Sequence, residues 1–270
     1  MAEWYVDKGQ GPALVLAHGT LLDKSMYDPQ IPELSRDYRV IAYDHRARRS
    51  DWQGPYGLEE LGDDCLSLVD SLGVDRFVLG GMSMGGFMAI PLALEMQDRL
   101  DGLMLIATMA GRYPLDELKR NELHVNQLLG LDKVPRDFAE WDAQLVFGQT
   151  TMRENPAVVQ RWTDQWTTYG AEAVYWEFNS WMRKADYQER LRELELPVLV
   201  IHGEEDPVLP IDRAEAMMDY LPNAELVRIP NAGHTITDEA PEEVTRAMRA
   251  FMDRVHGRAN EARAVDRAIT

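Results

Sequence analysis

The sequence predicts a single α/β domain, a mostly parallel doubly wound sheet interrupted by one helical insertion. Two observations carry this expectation. Short apolar runs alternate with amphipathic stretches over most of the chain, the pattern of parallel strands joined by crossover helices. Between Met109 and about Tyr187 the alternation is absent, and helix-like segments broken at Pro114, Gly130, Pro135, Gly148, Pro156 and Gly170 replace it. The 270 residues, 45% hydrophobic and 27% charged, supply enough apolar material for one large core.

Taken in order, Ala13-Leu14-Val15-Leu16-Ala17 reads as a buried strand that stops at His18-Gly19, and Arg39-Val40-Ile41-Ala42-Tyr43 as a second that stops at Asp44. From Glu59 to Leu72 the apolar residues Leu61, Cys65, Leu68, Val69 and Leu72 recur at helical spacing. Gly73 follows where a helix C-cap belongs. Arg76-Phe77-Val78-Leu79-Gly80 is a third strand, with a helix from Met84 to Met96 directly behind it. Pro91 falls inside that helix and is expected to kink it. Leu103-Met104-Leu105-Ile106, Val198-Leu199-Val200-Ile201 and Glu225-Leu226-Val227-Arg228-Ile229 add three strands. A last helix runs from Pro241 to Val255, with proline in the first turn where a missing N–H costs nothing.

The insertion, 114–186, is expected to form a helical cap over a core made of 1–113 and 187–256, with 257–270 a polar tail. It holds five of the seven tryptophans: Trp141, Trp162, Trp166, Trp176 and Trp181. Trp162 and Trp166 are four apart, on one helical face, and belong to the cap's own core. One or two of the rings are expected to line an apolar pocket beneath it.

Charge narrows the function. There are 28 Lys and Arg against 46 Asp and Glu, a net −18 with a pI near 4.7. Such a field repels phosphate backbones and anionic membranes, so nucleic acid and membrane surfaces are not expected as partners. Cys65 is the single cysteine, so no intrachain disulfide forms, which fits a reducing compartment. No apolar run reaches the ~18 residues of a membrane span. The first residues have neither the basic stretch nor the apolar run of a secretory signal, and a cytoplasmic protein is expected. Nothing in the sequence assigns an oligomeric state.

Chemistry concentrates at four strand ends. Gly81-Met82-Ser83-Met84-Gly85-Gly86 lies between a strand and a helix. A turn this sharp needs glycine two before and two after the serine, and it exposes the hydroxyl as a nucleophile. No lysine follows at P-loop spacing, which sets aside phosphate binding. After the first strand, His18-Gly19-Thr20 leads into a loop whose Thr20 amide, with the Met84 amide, is the expected oxyanion hole. The His18 ring is expected to hold that loop rather than carry protons. His202-Gly203-Glu204-Glu205-Asp206-Pro207 puts a carboxylate after a buried strand, and Asn231-Ala232-Gly233-His234 puts an imidazole after the next. Ser83, Asp206, His234 is the nucleophile–acid–base order described for one class of α/β enzymes.

These residues resemble the α/β-hydrolase fold family, in particular its capped esterase, lactonase and cofactor-free haloperoxidase group. The resemblance runs from about Gly11 to Met252 and is weakest through the cap. The family's H-G-x-x-D-x-x-x-P is matched by His202, Gly203, Asp206 and Pro210. Its G-H-x-x-x-x-E-x-P is matched by Gly233, His234, Glu239 and Pro241. Its D-x-R-G-x-G-x-S is not kept: Asp44-His45-Arg46-Ala47-Arg48-Arg49-Ser50 is one residue short and lacks both glycines, and is assigned a structural role. The Ser83 region and Gly54-Pro55-Tyr56 are most similar to 3-oxoadipate enol-lactonase-like sequences. The resemblance implies a cap inserted after the sixth strand and a pocket lined by Leu21, Met109, Trp141 and Val208.

The expected reaction is acyl transfer to water: His234 takes the Ser83 proton as the hydroxyl attacks a carbonyl, and Asp206 holds the imidazole in the right tautomer. The expected substrate is a small ester or lactone, with no metal and no cofactor, since neither a metal-ligand spacing nor a dinucleotide fingerprint is present. A serine rather than an aspartate nucleophile disfavours dehalogenase and epoxide-hydrolase chemistry. Two alternatives use the same residues: perhydrolysis or C–C bond hydrolysis, and a hormone-receptor-like protein that acts mainly by binding. The latter would give a burst with p-nitrophenyl acetate and then stall. The basic cluster Arg46, Arg48 and Arg49 reads as a solvated loop, with local attraction for an anionic substrate as the alternative.

Overall fold

The computed structural model describes residues 4–51 and 54–257. Seven strands form one sheet in the order β1-β3-β2-β4-β5-β6-β7: β1 Tyr5–Lys8, β2 Ala13–Ala17, β3 Arg39–Tyr43, β4 Phe77–Met82, β5 Leu100–Ile106, β6 Val198–Gly203 and β7 Ala224–Ile229. All neighbours are parallel except β1, which runs antiparallel to β3. The six strands read from the apolar runs are present. The seventh, β1, is a four-residue edge strand with two exposed positions, too short and too polar to show as an apolar run. Strands β2, β4 and β6 are buried at every residue, as expected for parallel strands covered on both faces.

The helices are α1 Ile31–Leu34, α2 Leu58–Ser71, α3 Met84–Glu95, α4 Leu115–Val125, α5 Arg136–Val146, α6 Gln149–Glu154, α7 Pro156–Trp166, α8 Ala171–Trp181, α9 Asp212–Met218, α10 Ile236–Glu239 and α11 Pro241–Val255. Helix α2 ends as its glycine predicts. Gly73 has φ +66°, its amide donates to Asp70 O at 3.1 Å, and the Val74 amide donates to Val69 O at 2.9 Å. Inside α3, Pro91 deprives the Phe87 carbonyl of its helical donor.

The strand order explains where a site can form. The connection β2–α1–β3 steps one way across the sheet and β4–α3–β5 the other. Right-handed crossovers of opposite direction put their helices on opposite faces. Accordingly α1 packs against α11, and α2 against α3. The chain therefore splays apart between β2 and β4, and the crevice outside their carboxyl ends is the ordinary binding position of an open α/β sheet.

The insertion, α4 to α8, follows the fifth strand and not the sixth, because a single strand precedes the parallel set. Trp162 and Trp166 are fully buried: Trp166 stacks on Phe147 inside the insertion, whereas the Trp162 indole N–H donates to Asp238 of α10 at 2.8 Å and so lies at the seam with the core. Where it rejoins the sheet, Lys184 Nζ donates to the carbonyls of Met109 (3.4 Å), Ala110 (3.2 Å) and Gly111, and lies 4.7 Å from the centre of the Phe87 ring. The Tyr187 amide adds a bond to Ala110 O at 3.1 Å. Burial pulls the Lys184 ammonium down to about 7, Asp186 opposing and Arg213 adding to the shift. An unfolded lysine titrates near 10.4. Between about pH 7 and 10 the unfolded chain therefore binds more protons at this group, so its contribution to stability rises with pH. Urea midpoints of wild type and Lys184→Met at pH 6.5 and 9 check this: the difference should move in favour of wild type at the higher pH.

Among the described residues, no helix is long and apolar enough to cross a membrane. Of the expected polar tail, 257–270, all but Gly257 lies outside the described residues.

Candidate active site

Ser83 sits between β4 and α3 with φ +50° and ψ −111°. A non-glycine residue in such a conformation costs roughly 1–3 kcal/mol, so the surroundings must hold it there. They do so on three sides. The Ser83 amide donates to Ile106 O of β5 at 2.9 Å, and the Ser83 carbonyl accepts from the Phe87 amide at 2.9 Å. The buried Thr108 hydroxyl donates to the same carbonyl at 2.9 Å. The flanking glycines are required sterically: a Cβ on Gly81 would lie 2.3 Å from Gly85 O, and one on Gly85 would lie 2.4 Å from Ala17 O. Sequence reasoning missed Thr108, whose threonine-after-strand position carries no signal of its own.

The loop after β2 passes beside this turn, since a Cβ on Gly19 would lie 3.2 Å from Ser83 Cβ. His18 shapes it. Its Nε2 accepts from the His45 amide at 2.9 Å, which leaves Nδ1 protonated to donate to Gly19 O at 2.7 Å. Burial, reinforced by the charge of Arg48, pulls His18 down to about 3, so the ring stays neutral and acts as a bracket. Among the described residues the Thr20 amide donates to no protein group. The Met84 amide is the first of α3 and has no helical acceptor. Neither N–H group has an acceptor among the described residues.

Asp206 and His234 meet at the ends of β6 and β7. Asp206 Oδ1 accepts the amides of Val208 and Leu209, each at 2.9 Å, and Oδ2 accepts from His234 Nδ1 at 2.7 Å. His202 Nε2 donates to Leu209 O at 2.7 Å and lies 3.3 Å from Asp206 Oδ2. Burial pushes the Asp206 carboxyl up, but the charge of His234 and the bonds from His202 and His234 outweigh it and hold the group well below the usual carboxylate range. An ionised Asp206 fixes the His234 proton on Nδ1 and leaves Nε2 as the basic nitrogen. Glu205 faces elsewhere, accepting the Thr150 amide (2.7 Å) and hydroxyl (2.8 Å). Glu239 collects four donors: the amides of Gly148, Gly233 and Thr235 and the Thr235 hydroxyl, at 2.8 to 2.9 Å. It ties the histidine loop to the insertion, whose Val146 carbonyl also accepts the His234 amide at 2.8 Å.

The residues expected to line a pocket separate. Leu21 and Met109 are buried beside the loop after β2 and the end of β5. Val208 is half-buried, and its amide is committed to Asp206. Trp141 is corrected: it is 56% exposed, because the buried face of α5 runs through Phe138, Ala139, Asp142 and Ala143 and leaves 141 off it. Helix α8 is the element of the insertion that packs on the start of α3 and the loop after β2. Ser180 Oγ lies 3.7 Å from Met84 Sδ, and the Trp181 ring centre lies 5.9 Å from Phe87 and 5.3 Å from Tyr113.

The basic cluster is also corrected. Arg46 is bidentate to Asp64 (2.7 and 2.8 Å), Arg49 pairs with Asp51 (2.6 Å), and Arg48 is buried against Glu177 of α8 at 2.7 Å. The loop is ion-paired rather than solvated. No group of three or more His, Cys, Asp or Glu side chains placed to hold a metal ion occurs among the described residues.

A family model described as alpha/beta hydrolase fold matches residues 12–241. The chain is 26% identical over 254 residues to 3-oxoadipate enol-lactonase 2 of Acinetobacter baylyi, covering 93% of this chain and 92% of that protein. It is 26% identical over 262 residues to a non-heme haloperoxidase of Rhodococcus erythropolis, covering 93% and 95%. Among solved structures, a thermophilic esterase from Thermogutta terrifontis with malate bound superposes with a TM-score of 0.86 at 31% identity, covering 93% of each chain.

Proposed function

The chain belongs to the α/β hydrolase fold family, and we propose that it is a serine hydrolase cleaving a carboxylic ester or lactone through an acyl-enzyme. The observation that carries the reading is the 2.7 Å His234–Asp206 pair at the same sheet end as the strained Ser83 turn. In this mechanism His234 Nε2 takes the Ser83 proton as Oγ attacks the carbonyl carbon. The tetrahedral oxyanion accepts from the Thr20 and Met84 amides. Collapse expels the alcohol with the proton from His234, and a water deprotonated by the same nitrogen releases the acid. Each proton transfer has a side chain assigned to it, so no cofactor is called for.

A neutral, moderately apolar substrate fits best. The net charge is −18, and Arg46, Arg48 and Arg49 are each spent on a carboxylate of the protein, leaving none of them free for a substrate carboxylate. Trp181, Phe87 and Tyr113 supply an aromatic surface below α8. The test is a panel of p-nitrophenyl esters of increasing acyl length together with a lactone bearing a free carboxylate. The kcat/KM should rise about fourfold per methylene over short chains, from ~0.8 kcal/mol per buried CH₂, and then fall. The carboxylate lactone should be a poor substrate, and Trp181→Phe should shift the preferred length. A profile that is flat and indifferent to Trp181→Phe would remove the aromatic roof from the pocket. No turnover on any member would end the hydrolase reading.

A further inference from the structure

The loop that carries the Thr20 amide is gripped residue by residue from outside. Glu177 of α8 is fully buried, and its Oε2 accepts the Leu21 amide at 3.1 Å and Arg48 Nη2 at 2.7 Å. Arg48 in turn donates from Nε to Leu22 O at 3.0 Å, and its guanidinium lies 3.9 Å above the Tyr169 ring. The Tyr169 hydroxyl donates to Asp23 Oδ2 at 3.0 Å, and Gln165 Nε2 reaches the same oxygen. Three consecutive residues, 21 to 23, are thus held at an amide, a carbonyl and a carboxylate. Gln165, Tyr169 and Glu177 all belong to the insertion, while Arg48 comes from the loop after β3.

The grip has something to hold. Leu21 has φ +63°, a left-handed conformation that a leucine leaves when it can. Upstream, Gly19 O is fixed by His18. If Leu21 relaxed while Gly19 stayed anchored, the intervening residue would turn, and with it the N–H proposed for the oxyanion. We propose that the buried Glu177–Arg48 pair positions the oxyanion loop, so that seating of the insertion on the core and stabilisation of the oxyanion are one mechanical unit. This rests on the hydrolase reading above. Glu177 and Arg48 touch neither substrate nor reacting atoms in this scheme; they act through the backbone of Leu21 and Leu22.

Removing one charge would strand the other in the interior. The test therefore replaces both with apolar side chains of similar length, Arg48→Met with Glu177→Leu, in the full chain. With the ester preferred by wild type, kcat should fall about 10²- to 10³-fold, the loss seen when one oxyanion donor is removed, with KM within threefold. Affinity for a trifluoromethyl ketone, which forms a tetrahedral adduct on the serine, should fall in parallel. Adding Leu21→Gly should restore at least tenfold in kcat, because glycine holds φ near +63° without strain. Arg48→Lys, which keeps a cation beside Glu177 but loses the Nε bond to Leu22 O, should show the same kcat-against-KM split if the double variant does not fold. Wild-type kcat in a folded variant would overturn the proposal, as would a loss that Leu21→Gly leaves unchanged. Absence of wild-type turnover on the whole panel would instead overturn the hydrolase reading and this inference with it.

Discussion

Ser83→Ala should abolish ester hydrolysis while leaving the fold intact. Among the described residues the hydroxyl makes no bond that supports the turn: the Ser83 amide and carbonyl hold it, through Ile106, Phe87 and Thr108. Alanine keeps both backbone groups and meets the same positive-φ demand that serine meets. Removing the nucleophile of a serine protease lowers kcat by on the order of 10⁶, and a loss of that order is expected here. Titration with a fluorophosphonate should label wild type once per chain and the variant not at all. A folded Ser83→Ala protein keeping more than a tenth of wild-type kcat would remove Ser83 from the mechanism.

The second large effect separates three adjacent carboxylates. Asp206→Asn should lower kcat by roughly 10⁴, the cost of presenting the wrong histidine tautomer. An amide at 206 can donate to His234 Nδ1, which moves the imidazole proton to Nε2, the nitrogen that must accept from Ser83. Glu205→Gln should change kcat little. Glu205 accepts from Thr150 and does not face His234, and Gln retains an acceptor for that contact. Glu204 is exposed, and Glu204→Gln should also be mild. Steady-state kinetics on the three variants decide the matter, and a severe Glu205→Gln beside a mild Asp206→Asn would transfer the role by one position.

Much of this site is legible in the chain because its requirements are local. The glycines around Ser83 answer steric contacts within the same turn, and the Asp206 and His234 motifs each follow a strand that its own apolar run announces. The two-glycine departure at Ala47 and Arg49 was also visible, but its consequence was not. Arg48 looks like one charge on a polar loop, and only folding brings it against Glu177, 129 residues away. Trp141 differs for another reason: the resemblance is weakest through the insertion and does not specify which face of α5 each ring occupies.

The sequence by itself determined the alternation of strands and helices, the ends of β2, β3 and β5 (β4 and β6 run two residues past their apolar runs), and the sharp turn at Ser83. Periodicity, apolar runs and glycine sterics act over a few residues and need no knowledge of the rest of the chain. Tertiary structure decided what depends on contacts across the sheet. It paired β1 with β3, seated the insertion after the fifth strand, set Thr108 under the serine, and joined Glu177 to Arg48 and Leu21. A buried charge is stable only beside its partner, and which residues become partners is settled when the layers close, not by their spacing along the chain.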